Sequence, residues 1–284
     1  MLGPARRAEI KLPGWMRPWT LAAILLAGAL FPARAAAAAP PVFKLLGFSS
    51  ADFEILDPAN SSVIGHAHYV VAKDGDGITL HGIYRYTSGQ YDIEHDRFVR
   101  RNGALPVLVS ADHYFYRADG APEIESNFDL KSGVATCTDY RLHPAVRSTV
   151  RLTPPQGTWA GASVMIPIQE FLRHGGRGTL LTHVFNCAPI PKIFAVRVSV
   201  DSAPTSAPIA LSGTMEVDVH PEFGWLNLFV APFAPHLKAW FDPHRDWDLV
   251  GATLARFYNG PDIMLARVPE SARWIGRTAA APFK

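Results

Sequence analysis

Residues 63–86 read VIGHAHYVVAKDGDGITLHGIYRY, and this stretch indicates the fold class of the chain. Two runs rich in Val, Ile, Tyr and Thr, residues 63–71 and 78–86, flank the sequence Asp74-Gly75-Asp76-Gly77. An aspartate–glycine connector between two such runs is a strong sign of a β-hairpin. We therefore expect two antiparallel strands that are joined by a tight turn.

The hairpin also predicts a register. If Asp74 pairs with Gly77, then His66, His68 and His81 all lie on one face of the two strands. His68 and His81 become diagonal neighbours, which is close enough for two imidazoles to reach one ion. The opposite face is mainly apolar and aromatic.

Three interpretations of the three histidines stay open. Zinc takes three or four nitrogen, sulfur or oxygen ligands, and the His66-x-His68 pattern resembles the first metal motif of the cupins. However, Ala72 and Lys73 stand where a cupin has a glutamate. The histidines therefore belong to a polar, solvent-facing strand face without a cofactor, to a zinc site at His66, His68 and His81 in a metal-dependent enzyme, or to a switch that acts through the charge of the imidazoles.

Further β-strands are predicted along most of the chain, at intervals marked by turn residues. They cover residues 91–99, 107–117, 123–130, 134–142, 179–186, 193–200, 210–219, 226–230, 236–241, 249–258 and 263–268. One segment, Ser163–His174, has apolar residues at helical spacing, with Pro167 in the first turn and Gly175-Gly176 as the stop. The expected fold class is mainly β: a strongly curved antiparallel sheet or barrel-like meander with one short helix packed against it.

The first 39 residues have the pattern of a cleaved signal peptide: a basic start, an apolar run over residues 19–31 and a small-residue cleavage region. They hold five of the 27 basic residues and one of the 25 acidic residues, so residues 40–284 carry a net charge of −2. We expect a periplasmic or secreted protein with no integral membrane span after cleavage and no affinity for nucleic acid. Residues 40–284 form one β-rich domain, or two lobes divided near residues 144–155.

Cys137 and Cys187 both lie in the exported part, where an oxidising compartment permits a disulfide. Such a bridge closes a loop of about fifty residues and is worth roughly 4 kcal/mol in the chain-entropy model. Two buried free thiols are the alternative. No C-x-x-C pair indicates redox chemistry.

Asp92, Glu94 and Asp96 alternate in the sequence YDIEHDRF and must share one strand face. If they were buried, their mutual repulsion would raise one pKa and favour general acid chemistry. A solvated strand face is the simpler interpretation, and it is the one we adopt. The chain contains no G-x-S-x-G nucleophile elbow and no phosphate-binding glycine loop before a helix.

The chain is rich in aromatic residues, of which many must form the core. A curved sheet that a helix covers in part can also enclose an apolar cavity. Tyr84, Trp159 and Phe171 are the residues that we expect to line it.

Several short motifs carry a family resemblance. They are Gly65-x-Ala67-x-Tyr69-x-Val71, the tripeptide 127–129, the turn 157–161 and the sequence Phe-Leu-Arg at 171–173. In arrangement, residues 60–200 resemble exported bacterial β-rich proteins of unknown function whose curved sheet is similar to that of the LolA/LolB-type lipoprotein carriers. The resemblance implies a curved sheet around a helix and the handling of an apolar envelope molecule.

The leading functional hypothesis is therefore a periplasmic, non-enzymatic protein that binds a lipid, another apolar small molecule or an envelope protein. The metal-dependent enzyme at His66, His68 and His81 is one alternative. A structural envelope protein without a ligand is the other.

Overall fold

A computed structural model of the chain describes residues 49–99, 106–187, 190–201, 213–222, 237–257 and 260–268. The predicted signal peptide and the predicted strand 226–230 lie outside these residues. The described strands are β1 Ser49–Leu56, β2 Val63–Asp74, β3 Gly77–Tyr86, β4 Tyr91–Val99, β5 Val107–Tyr116, β6 Pro122–Asp129, β7 Val134–Asp139, β8 Val146–Arg151, β9 Thr158–Ala160, β10 Thr179–Cys187, β11 Pro191–Asp201, β12 Met215–Pro221, β13 Leu237–Asp242, β14 Asp248–Ala255 and β15 Asp262–Arg267. The α-helix, α1, is Met165–Arg173.

These strands form one sheet in the order β8-β7-β6-β5-β4-β3-β2-β1-β15-β14-β13-β12-β11-β10-β9. Strands β1 to β8 make one meander and β10 to β15 make another, and the antiparallel pairing of β1 with β15 joins the two. Apart from the short parallel pair of β9 with β10, neighbouring strands are antiparallel. For the residues that the structure describes, the predicted fold class is confirmed: it is mainly β, with an antiparallel sheet and one short helix.

The sheet is strongly curved, because residues near its two ends contact each other. The disulfide joins Cys137 of β7 to Cys187 of β10, which are the second strands from the two edges. Close by, the rings of Phe128 in β6 and Phe185 in β10 lie 5.5 Å apart between centroids. One face of the sheet is therefore concave, and the predicted disulfide is confirmed as a covalent link between the ends.

The predicted hairpin register is also confirmed. Asp74 pairs with Gly77, and His68 faces Ile83 across the strands β2 and β3. The strands extend up to the turn, with Gly75 at a φ of +57°, a left-handed value that suits glycine. The histidine face is the convex face of the sheet.

Helix α1 lies against the concave face and begins two residues before Pro167, after a short 3-10 turn over Gly161–Val164. Ile168 and Leu172 are almost completely buried. They pack with side chains from both meanders, including Phe98 of β4 and Phe241 of β13. The helix therefore fills part of the space that the curved sheet encloses.

Three strands were not predicted. β8 has an exposed and charged sequence, and it lies at an edge of the sheet. β9 spans three residues, which is too short for any periodic pattern. β1 pairs with β2 and with β15, so its partners include the far end of the chain.

Candidate functional site

The concave face and helix α1 enclose a cavity of about 900 Å³. Much of its wall is apolar and comes from both meanders and from the helix. Representative apolar lining residues are Phe53, Leu80, Ile124, Ile166, Val196, Phe241 and Leu254. Polar side chains also line it, among them Tyr69, Tyr84, Tyr86, Glu94, His113 and Arg256. The cavity is thus largely apolar, with a polar wall that is mainly on β2, β3, β4 and β5.

Glu94 and His113 of this polar wall form a cluster with Asp96. Glu94 and Asp96 are two apart on β4 and therefore share its concave face, and Glu94 pairs directly with His113 of β5. His113 Nε2 lies 2.9 Å from Asp96 Oδ1 and 3.8 Å from Glu94 Oε1. In the described part of the chain, this is the one group of three His, Cys, Asp or Glu side chains whose ligand atoms lie within 4.8 Å of one another.

The backbone at the start of the 3-10 turn holds Glu94 in place. The Ala162 N–H donates a hydrogen bond of 2.6 Å to Glu94 Oε1. A Cβ added to Gly161 would lie 2.2 Å from the same oxygen. Only glycine therefore lets the chain pass so close to the carboxylate.

The environment shifts the pKa values of this group strongly. Burial raises the pKa of Glu94 to about 8, against the opposing effect of a charged His113. Burial alone would lower the pKa of His113, but Asp96 and then Glu94 raise it to about 9. The Glu94 carboxyl and the His113 imidazole therefore both favour their protonated forms near neutral pH.

Two tyrosine hydroxyls continue the polar wall. Tyr69 and Tyr84 share a short hydrogen bond between their hydroxyls, and the Tyr84 hydroxyl donates a 3.4 Å hydrogen bond to Glu94 Oε2. Burial raises the pKa of both phenols well above its usual value. Both stay neutral and can donate hydrogen bonds.

A second charged group surrounds Arg256, which directly follows β14. Arg256 makes a bidentate pair with Asp92, with its shortest contact at 2.6 Å, and its Nη1 lies 3.0 Å from Glu123 Oε2. The guanidinium also stacks over the Tyr86 ring at 4.8 Å from the centroid. These contacts tie the end of β14 to β4 and β6 across the cavity, because β14 is far from both strands in the sheet order.

The three histidines singled out in the sequence lie on the convex face. His66 and His68 are exposed, and His68 Nδ1 lies 2.6 Å from Asp52 Oδ1. His81 packs against His95, with their ring centroids 6.0 Å apart, and burial lowers the pKa of His81. The structure brings them to one face but does not bring their three imidazoles within 4.8 Å of one another. A metal site at these residues stays a prediction.

Of the three residues expected to line a cavity, Tyr84 lies on its wall. Trp159 instead lies fully buried in the core, where its ring is 4.8 Å from that of Phe98. Phe171 packs against Gly176 just beyond the helix. Trp159 belongs to the core cluster that includes Phe98 and Ile168, whereas Phe171 is not among the residues of the cavity wall.

The solvated-face interpretation of the alternating acids is wrong. Asp92, Glu94 and Asp96 are 3%, 5% and 0% exposed. A signal for this was present in the sequence, because Phe98 is in phase with the three acids along a strand of period two. The residues opposite on β3 include Tyr84 and Leu80, which also belong to the apolar face.

No family model and no curated protein matches the chain. Among solved structures, the chain is similar to the crystal structure of a β-barrel-like protein of a domain of unknown function, DUF1849, from Brucella abortus. That similarity has 12% sequence identity and a TM-score of 0.45, and it covers 80% of this chain and 97% of the other.

In the ranges that the structure describes, no helix is both long and apolar enough to cross a membrane.

Proposed function

We propose that the chain is an exported, non-enzymatic protein that binds a lipid or another apolar ligand inside the curved sheet. The cavity of about 900 Å³ is the observation that carries this proposal. Its volume falls within the range of about 300–1,000 Å³ that is typical of small-molecule sites. Its mainly apolar wall would give an acyl chain or a similar group a favourable environment.

The ion pairs of the wall support an apolar ligand over a strongly anionic one. Arg173 lies 2.8 Å from Glu170, and Arg267 lies 3.0 Å from Asp248. Arg256 is held by Asp92 and by a second carboxylate. Each guanidinium among the described lining residues is therefore already neutralised, and an anionic head group would have to break an existing pair.

An exported location supports the same function. The disulfide between Cys137 and Cys187 fits an oxidising compartment. We propose the periplasm, because a carrier or sensor of apolar envelope molecules needs an enclosed cavity in an aqueous compartment. A structural envelope protein without a ligand would have to leave this cavity unused.

The first test is ligand-dependent stability of the protein purified without detergent. Monoolein, a neutral amphiphile, serves as the probe. A ligand at 100 times its Kd stabilises the native state by about 2.7 kcal/mol, which corresponds to several degrees in Tm for a chain of this size. A saturating probe that leaves Tm unchanged, with native mass spectrometry that shows bare protein, would reject the proposal in favour of a purely structural protein.

Two adjacent valines provide a matched pair of variants. Val71 lines the cavity, whereas Val70 lies on the convex face of the same strand, opposite His81. Val71→Trp should fill part of the cavity and weaken the binding of monoolein at least tenfold. Val70→Trp should bind it as the unmodified protein does. Equal binding by both variants would place the ligand outside the cavity.

A further inference from the structure

Glu94, Asp96 and His113 have the composition of a metal-binding set. Two carboxylates and one imidazole offer oxygen and nitrogen ligands, which suit zinc and related divalent ions. Ligand atoms about 2.0–2.2 Å from a tetrahedral zinc ion lie about 3.4 Å apart. The observed separations of 2.9 Å and 3.8 Å from His113 Nε2 to the carboxylate oxygens lie on either side of that value. Small side-chain adjustments would therefore complete the geometry.

The Asp96 carboxylate independently indicates that a binding partner is missing from this group. Its side chain is 0% exposed, and its Oδ2 has no hydrogen-bond partner among the described residues. A buried carboxylate oxygen without a donor is costly and rare. The other oxygen, Oδ1, already contacts His113. A cation in this group would satisfy Oδ2.

The surroundings would hold the ligands in place and leave one side open. The Ala162 N–H and the Tyr84 hydroxyl bind the two oxygens of Glu94 from outside the group. Such outer contacts orient metal ligands and raise the affinity of a site. Glu94 and His113 both line the cavity. An ion held by three protein ligands would keep a coordination position towards the cavity, as catalytic and ligand-binding zinc sites do.

We propose that Glu94, Asp96 and His113 form a binding site for one divalent transition-metal ion, with Zn²⁺ as the preferred ion, at the polar wall of the cavity. Imidazole and carboxylate together favour Zn²⁺ over Mg²⁺ or Ca²⁺, which need six or more oxygen ligands or retain several waters. The inference does not depend on the apolar ligand, because it rests on the three side chains and on the unpaired oxygen.

The test is metal titration of the full chain as it is exported, purified without chelator, stripped with a chelator and then titrated with Zn²⁺. Calorimetry and elemental analysis should give one Zn²⁺ per chain, and Co²⁺ in its place should give the visible absorption of a tetrahedral site. Asp96→Asn keeps the shape but removes the charge. We expect it to weaken Zn²⁺ binding at least tenfold, since even the loss of an outer-shell partner costs 10–100-fold.

The matched control is the double variant His66→Ala, His68→Ala on the convex face, which should retain one Zn²⁺ per chain. Loss of the ion in this variant would move the site to the convex face and overturn the proposal. A folded unmodified protein that takes up no Zn²⁺ would also overturn it. If Asp96→Asn does not fold, Glu94→Gln is measured instead, with the same expected loss.

Discussion

Ionisable side chains occur on both faces of β4, but the two faces of this strand have different surroundings. Asp92, Glu94 and Asp96 lie on the concave side and are buried, whereas His95 and Arg97 face outward and are exposed. Ionisable groups that the sheet encloses must find partners, and burial shifts their pKa. The comparison shows that the candidate functional groups of this protein lie on the buried polar face of the sheet and not on the exposed histidine face.

The largest expected loss of stability is for a substitution at the apolar end of β4, and a substitution on the outer face of the same strand is its comparison. Phe98→Ala should lower the free energy of unfolding by about 4 kcal/mol, because it leaves a cavity beside Trp159 in the core. His95→Ala should change it by no more than about 0.5 kcal/mol. Urea unfolding of both variants measures the contrast. A similar loss for both would mean that the outer face is also covered.

The next largest loss of stability is expected when a buried ion pair is broken, and an exposed ion pair serves as the comparison. Arg256→Met should cost about 3 kcal/mol, because it leaves buried Asp92 without its cation. Arg117→Met removes the exposed partner of Asp119 and should cost less than about 0.5 kcal/mol.

Thermal unfolding of the two methionine variants tests this difference. The double variant Arg256→Met, Asp92→Asn should recover part of the loss, since it removes both charges. No recovery would show that the packing of Arg256 against the Tyr86 ring, and not its charge, is what stabilises the end of β14.

A smaller loss of stability is expected when alanine replaces a glycine with positive φ, and two such glycines can be compared. Gly161→Ala should cost about 2 kcal/mol, because its backbone is left-handed and its Cβ would collide with Glu94. Gly75→Ala in the outer turn carries only the backbone strain, since nothing lies within 4 Å of its Cβ, and should cost about 1 kcal/mol. Equal losses in chemical denaturation would show that the turn at Gly161 moves away from the carboxylate without difficulty.

The smallest effect concerns alkaline pH. Burial and then Asp92 raise the pKa of Tyr86 above its ordinary value of 10. Above pH 10 the unfolded chain loses this proton while the folded chain keeps it, so stability falls as pH rises, by up to about 1.4 kcal/mol per pH unit. Tyr86→Phe should make the decline between pH 10 and 11 shallower. An unchanged slope in urea unfolding would mean that Tyr86 ionises in the folded protein and that water reaches this part of the concave face.

Much of the fold could be predicted from local patterns. The turn at residues 74–77 set the register of β2 and β3, and the apolar spacing around Ile168 located the helix. The strand β8 was missed because an exposed edge strand needs no apolar alternation. The pairing of β1 with β15 joins residues that are more than two hundred positions apart in the sequence. No short-range sequence pattern predicts such a contact.

The site itself was predictable only in part. Alternation places Glu94 and Asp96 on one face, and Phe98 on the same face is a local sign of burial, but nothing local to β4 indicates which distant residues cover that face. His113 was not considered, because it reaches Asp96 only through the pairing of β4 with β5. Tyr84 was placed on the cavity wall, as it is, since it lies on the aromatic face of the hairpin.

By itself, then, the sequence determined the strand alternation, the hairpin turn, the short helix and the two cysteines that form the disulfide. These are properties of neighbouring residues and of backbone geometry. Only the tertiary structure decided that the sheet curves until β7 meets β10, and that the face with Asp92, Glu94 and Asp96 is the enclosed one. The reason is physical: burial and its effect on charge depend on which distant strands come together, and a period of two along a single strand does not contain that information.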